Sequence, residues 1–136
     1  MRVVKEVQLL FDTEGRTLYW HDPSESNGGW IPDSQVLWDK MWEYRHCLGG
    51  MAHTHPGWGK ARPSMTDVTT YAALELGLGK QLLWPVVTFS DVIYVVRNPL
   101  YHAGEHMWTK AGPLTIEIEG IDELRRKSGS EHCPRP

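Results

Sequence analysis

Apolar and polar positions along the chain follow two different periods, and the switches between them mark the predicted elements. Val3-Val4-Lys5-Glu6-Val7-Gln8-Leu9-Leu10-Phe11 is rich in β-branched and aliphatic residues, Asp12-Thr13-Glu14-Gly15 supplies turn chemistry, and Thr17-Leu18-Tyr19-Trp20 is a second apolar run. Together they predict a β-hairpin. His21 to Pro32 gathers Pro, Ser, Asn and Gly and reads as an exposed loop. Asp33 or Ser34 then caps a helix whose apolar positions Leu37, Met41, Tyr44 and Leu48 recur at helical spacing, with Gly49-Gly50 as its stop.

The period changes again at Met51 to Thr54, a short predicted strand followed by a loop from Pro56 to Pro63. A second helix is predicted from Ser64 to about Gly77-Leu78-Gly79. Trp84 to Phe89 and Val92 to Val96, separated by Ser90-Asp91, predict a second hairpin. Asn98 to Pro113 is irregular, and Leu114-Thr115-Ile116-Glu117-Ile118-Glu119 alternates strictly, as a half-buried strand would. Beyond Lys127 the chain is polar and contains Pro, which predicts one domain over 1–127 and a flexible tail over 128–136.

Composition narrows the picture further. With 136 residues, 40% apolar and 23% charged, the chain has the size and the apolar content for a single core. A net charge of −3 leaves no basic footprint for nucleic acid or an anionic membrane, so neither is expected as a partner. Two cysteines, Cys47 in the predicted first helix and Cys133 near the end, make neither a disulfide framework nor a Cys-x-x-Cys metal knuckle. That usage fits a reducing compartment, and the first residues, interrupted by Lys5-Glu6, do not read as a signal peptide, so a cytoplasmic protein is expected. No apolar run approaches the ~20 residues of a membrane span.

The chemistry concentrates in His53-Thr54-His55-Pro56-Gly57-Trp58-Gly59-Lys60-Ala61-Arg62-Pro63-Ser64-Met65-Thr66-Asp67. Residues two apart on a strand face the same way, so His53 and His55 can aim both imidazoles at one point. Pro56 stops the strand, the Gly-containing loop doubles back, and Asp67 in the first turn of the next helix can supply a carboxylate oxygen. Two His and one carboxylate leave a fourth tetrahedral position for water, the arrangement of catalytic zinc. The competing reading is that the His-x-His pair is an accident of composition and that Ser64-x-x-Asp67 is a helix capping box. His102-Ala103-Gly104-Glu105-His106 is a second metal motif, His-x-x-Glu-His, but it needs a helix that Gly104, Pro99 and Pro113 disfavour. Cys47, among apolar helix positions, reads as a packing residue, and His21, His46 and His132 read as surface or cap residues.

His53-Thr54-His55-Pro56 followed by Ser64-x-x-Asp67 resembles the signature of the JAMM (MPN-plus, JAB1/Mov34) metalloprotease family: a distant Glu, then His-Ser/Thr-His-Pro, then Ser-x-x-Asp. The predicted order of elements is similar to that of the JAB/MPN domain, so the resemblance implies a mixed α/β fold with a curved mixed sheet sandwiched by helices. It implies Zn2+ held by His53, His55 and Asp67, with Ser64 stabilising the substrate carbonyl or the oxyanion. It also implies an upstream Glu as general base. Of Glu6, Glu14, Glu25 and Glu43, Glu6 begins a stretch, Val7-Gln8-Leu9-Leu10, that looks like the family's Glu-x-Gly-Leu-Leu with Gln8 in place of Gly. Glu14 falls in a turn, Glu25 in a loop and Glu43 on a helix face. Two departures stand out. The loop from Pro56 to Pro63 is one residue longer than the family's usual seven, and no long helix precedes the first predicted strand.

By that resemblance the chain is expected to be a zinc isopeptidase that deconjugates or matures a ubiquitin-like protein, with that protein, its conjugates and its activating or conjugating enzymes as partners. Trp30, Trp58 and Trp108 are candidate substrate contacts. The alternatives are a zinc peptidase of the same fold acting on another peptide or small amide, and a metal-free MPN-like scaffold. Retention of all three ligand residues argues against the scaffold.

Overall fold

The computed structural model describes residues 4–22, 33–97, 108–110 and 116–135. The β-branched and aliphatic runs become the strands β1 (Gln8–Asp12), β2 (Thr17–His21), β3 (Leu48–Thr54), β4 (Trp84–Val87), β5 (Val92–Arg97) and β6 (Trp108–Lys110) of one sheet, in the order β2-β1-β3-β4-β5-β6. All neighbours are antiparallel except β3 and β4, which run parallel through the crossover helix α2 (Met65–Leu78). The other helices are α1 (Asp33–Glu43) and α3 (Ile121–Lys127). The architecture is therefore mixed α/β.

Each face of the sheet has its own core, because alternate residues of a strand point opposite ways. Leu10, Met51, Trp84, Val86 and Val95 pack with Met41 of α1 and Tyr71 of α2. Val7, Leu9, Phe11, Ala52 and Val87 pack with Leu124 of α3 on the other side. β3 is thus covered on both faces and paired on both edges, which makes its C-terminal end a rigid platform. Among the described residues no helix is long and apolar enough to cross a membrane.

Three local expectations are corrected. The first helix stops at Glu43, short of Leu48, and Leu48-Gly49-Gly50 opens β3. The glycines answer to close backbone approach and not to helix termination: a Cβ on Gly49 would lie 2.3 Å from the Asp12 carbonyl oxygen, and one on Gly50 only 1.9 Å from that of Leu83. Cys47, in the turn between α1 and β3, is consequently exposed and not packed. Residues 116–119 of the alternating segment do not form a strand. Ile118 is buried in the second core while the Glu119 amide donates to the Gly15 carbonyl and the Glu119 side chain accepts from the Thr17 amide, so the alternation reflects one inward residue in an irregular crossing. Leu114 and Thr115 lie outside the described residues.

The end of the chain is also more structured than its composition suggests. Ile121–Lys127 is a helix with Asp122 and Glu123 in its first turn and Arg125, Arg126 and Lys127 in its last, which complements the helix dipole. In place of a flexible tail from residue 128, Ser128 is fully buried and Ser130–His132 form a 3-10 turn.

Gly50→Ala should lower the unfolding free energy by about 2–3 kcal/mol through overpacking, read as a lower urea midpoint at unchanged m-value. An unaltered midpoint would show that β3 is not wedged against Leu83.

Candidate metal centre

His53 occupies the centre of the sheet, paired in register with Gln8 of β1 and Val86 of β4. His55 lies one residue past β3, where its amide donates to the Val87 carbonyl at 2.9 Å and so extends the parallel ladder. The two side chains share a face as the two-residue spacing requires. Their Nε2 atoms are 3.0 Å apart.

Across from them, Ser64 caps α2. Its Oγ accepts the Asp67 amide at 3.0 Å and Asp67 Oδ2 accepts the Ser64 amide at 2.8 Å, a complete capping box. The same Oδ2 lies 2.9 Å from His55 Nε2 and 3.2 Å from His53 Nε2. The capping box and the candidate ligand set, alternatives in the sequence, share one carboxylate oxygen.

The three atoms form a nearly equilateral triangle of two imidazole nitrogens and one carboxylate oxygen. Tetrahedral zinc with bonds of roughly 2.0–2.1 Å spans ligand edges of about 3.3–3.4 Å, and the observed edges are a few tenths of an ångström shorter. The donor set and spacing fit a divalent cation, and His53, His55 and Asp67 are the residues that could hold it.

The loop from Pro56 to Pro63 joins the end of β3 to the cap of α2. It is tied to the β4–β5 turn: Phe89 amide to Gly57 carbonyl at 2.8 Å, Thr88 Oγ1 to Gly59 carbonyl at 2.7 Å, and Ala61 amide to Asp91 Oδ2 at 2.7 Å. Trp58 packs edge-on against Phe89 and donates its indole N–H to the Cys133 carbonyl, which fastens the C-terminal segment beside the loop.

Glu6 is exposed and shares a cleft of about 420 Å³ with His55, Pro56, Ser64, Thr66 and Asp67. The backbone on either side of it is fixed. The Lys5 amide donates to the Ser128 carbonyl, the Lys5 ammonium pairs with Asp22 at 2.7 Å, and the Val7 amide donates to Thr54 Oγ1 at 3.0 Å. Thr54 Oγ1 in turn meets Ser128 Oγ at 2.6 Å. Thr54 and Ser128 therefore steady the Glu6 segment, and Tyr71 stands behind His53; of these, only Thr54, between the two histidines, falls within the motif that the sequence singles out. Glu14 is in the β1–β2 turn and Glu43 at the exposed end of α1. Trp30, Glu25, His102, Glu105 and His106 lie outside the described residues, as does the Trp108 side chain. His21, expected at the surface, is buried at the end of β2.

Electrostatics follow from this packing. Burial alone would raise the Asp67 carboxyl, but hydrogen bonding to His53 and His55 and the Ser64 amide outweigh it and hold the group well below the usual carboxylate range. His55 is raised by its hydrogen bond to Asp67, against desolvation, with further help from the charges of Asp67 and Glu6. Burial, reinforced by the Asp67 charge, pushes the Tyr71 phenol up, so it stays protonated.

Comparison with known proteins finds no family model, curated protein or solved structure that matches the chain.

The His55 and Asp67 shifts make stability depend on pH in chelator-treated protein. The raised His55 contributes fully below its unfolded value near 6.5 and loses its contribution as pH rises through the folded value; the depressed Asp67 contributes above its unfolded value near 3.8 and loses it as pH falls through the folded value. The stability difference between wild type and Asp67→Asn should therefore be largest between about pH 4 and 6.5 and shrink on both sides. Denaturant titrations extended below and above that window would show a difference that stays flat throughout if the pair were not formed.

Proposed function

We propose that this chain is a zinc-dependent peptidase of the JAMM type that hydrolyses the amide bond after the C-terminal tail of a ubiquitin-like protein. The observation that carries the reading is the meeting of His53 Nε2, His55 Nε2 and Asp67 Oδ2 within 3.2 Å of one another, beside a cleft that Glu6 and Ser64 also line. The His-Thr-His-Pro and Ser-x-x-Asp motifs give the substrate class by resemblance to that family.

Zinc held by these three residues would supply a Lewis acid for the scissile carbonyl and lower the pKa of water towards neutrality. Glu6, on a segment fixed at both neighbours, takes a proton from the attacking water and delivers it to the leaving amine. Ser64 Oγ accepts from the Asp67 amide and so keeps its own proton to donate to the oxyanion that develops on the substrate. His53 and Asp67 are largely shielded, whereas His55 is about a third exposed and forms the wall of the cleft that a substrate meets first. Bond cleavage proceeds without a covalent enzyme intermediate, so the exposed Cys47 has no part in it.

The zinc-loaded protein should release the extension from a ubiquitin-like protein prolonged past its Gly-Gly end. Glu6→Ala should lower turnover by at least about 100-fold with zinc content unchanged, whereas His55→Ala should lose the metal. Turnover that survives Glu6→Ala would remove Glu6 as the base, and a zinc-loaded wild type inert on that substrate would remove the ubiquitin-like tail.

A further inference from the structure

An imidazole that binds a cation through Nε2 carries its ring proton on Nδ1, and that N–H needs an acceptor to fix the tautomer and the ring plane. The two histidines of the centre meet this need differently. His55 is about a third exposed, so water is at hand. His53 is only 5% exposed, and burial leaves it dependent on a protein acceptor. Its Nδ1 lies 3.4 Å from the Tyr71 hydroxyl, at the long end of hydrogen-bond reach, with the two rings edge to face.

Tyr71 is itself held from behind. Its ring stacks on Trp84 with centroids 4.4 Å apart and planes 13° from parallel. The Trp84 indole N–H donates to Glu75 Oε2 at 2.8 Å, the Leu82 amide donates to the same oxygen at 3.0 Å, and Arg97 Nε lies 3.3 Å from Oε1. Asp67, Tyr71 and Glu75 are four residues apart, one stripe of α2 facing the sheet. Hydrolysis as derived above uses the first and leaves two buried polar groups of that stripe without a task.

Resting on the metal centre of the proposed function, we infer that Tyr71 is a positioning residue whose phenol oxygen accepts the Nδ1–H of His53 and so presents the Nε2 lone pair to the cation. Trp84 and Glu75 keep the phenol from turning away. Tyr71 touches neither cation nor substrate and acts through His53 alone.

The test is Tyr71→Phe in the full chain, titrated with zinc against a chromophoric chelator and loaded with cobalt for its visible spectrum. Zinc affinity should fall by about 10–100-fold, with altered cobalt bands. Met41→Ala, a cavity variant of α1 in the same core, should lose stability and keep the zinc affinity and the cobalt spectrum. Equal affinity in wild type and Tyr71→Phe, or an equal loss in Met41→Ala, overturns the assignment while leaving the metal centre standing. A wild-type chain that takes up neither ion overturns the centre and the assignment with it. Nitrogen-15 NMR of the zinc-loaded wild type reads the same point without a variant: His53 should coordinate through Nε2 with a protected Nδ1–H, and coordination through Nδ1 would overturn the role of Tyr71.

Discussion

One carboxylate oxygen, Oδ2 of Asp67, joins the two halves of the site. It accepts the Ser64 amide that would otherwise be an orphan donor at the start of α2, and it receives both imidazoles from the end of β3. Helix and strand are 12 residues apart at this contact, from His55 to Asp67, and the carboxylate fixes their separation to a hydrogen-bond length. The cap sets the carboxylate's direction locally, because the Ser64 and Asp67 side chains each accept the other's backbone amide. A carboxylate on a flexible loop would have no fixed direction; here the first turn of a helix supplies one.

The opposite side of the triangle owes its rigidity to the sheet. His53 belongs to a strand paired with β1 and β4, and His55 continues the β4 ladder through its amide. β3 can lie so close to its neighbours because Gly49 and Gly50 present no Cβ to the carbonyls of Asp12 and Leu83. The glycines at the start of the strand and the histidines at its end are thus two parts of one device: close strand packing at one end lets the other serve as a fixed base for two imidazoles.

Legibility from sequence followed how local each signal was. The His-x-His spacing, the Ser64 cap, the extent of α2 with Gly79 in a left-handed C-cap at φ +69°, and the β4–β5 hairpin depend on neighbours within a few residues, and the structure has them as the pattern predicts. Gly49-Gly50 reads as a helix stop because a glycine pair serves equally as a stop and as a close-approach site, and only the positions of Asp12 and Leu83 decide between them. The alternation ending at Glu119 matched a strand's period, yet its partners are the β1–β2 turn and the Thr17 amide, which no period reveals. Tyr71 and Glu75 read as ordinary helix positions until Trp84 and Arg97 are brought beside them from the next two strands. Ser128 likewise gains its role from Thr54, 74 residues earlier.

The loop from Pro56 to Pro63 is anchored apart from the geometry of the site. Its ends are set independently, one by the β3–β4 ladder at His55 and the other by the cap at Ser64. Between them the chain is tethered at Gly57, Trp58, Gly59 and Ala61 to the β4–β5 turn, none of these a contact with His53, His55 or Asp67. A Cβ at Gly57 or Gly59 would meet nothing within 4 Å, so at these two positions the loop borders open space. Loop closure grows slowly costlier with length, by roughly 0.6 kcal/mol per doubling, so one added residue has almost no entropic leverage on the triangle. The geometry of the triangle is consequently insensitive to the number of residues between His55 and Ser64 and sensitive to the two fixtures that bound them.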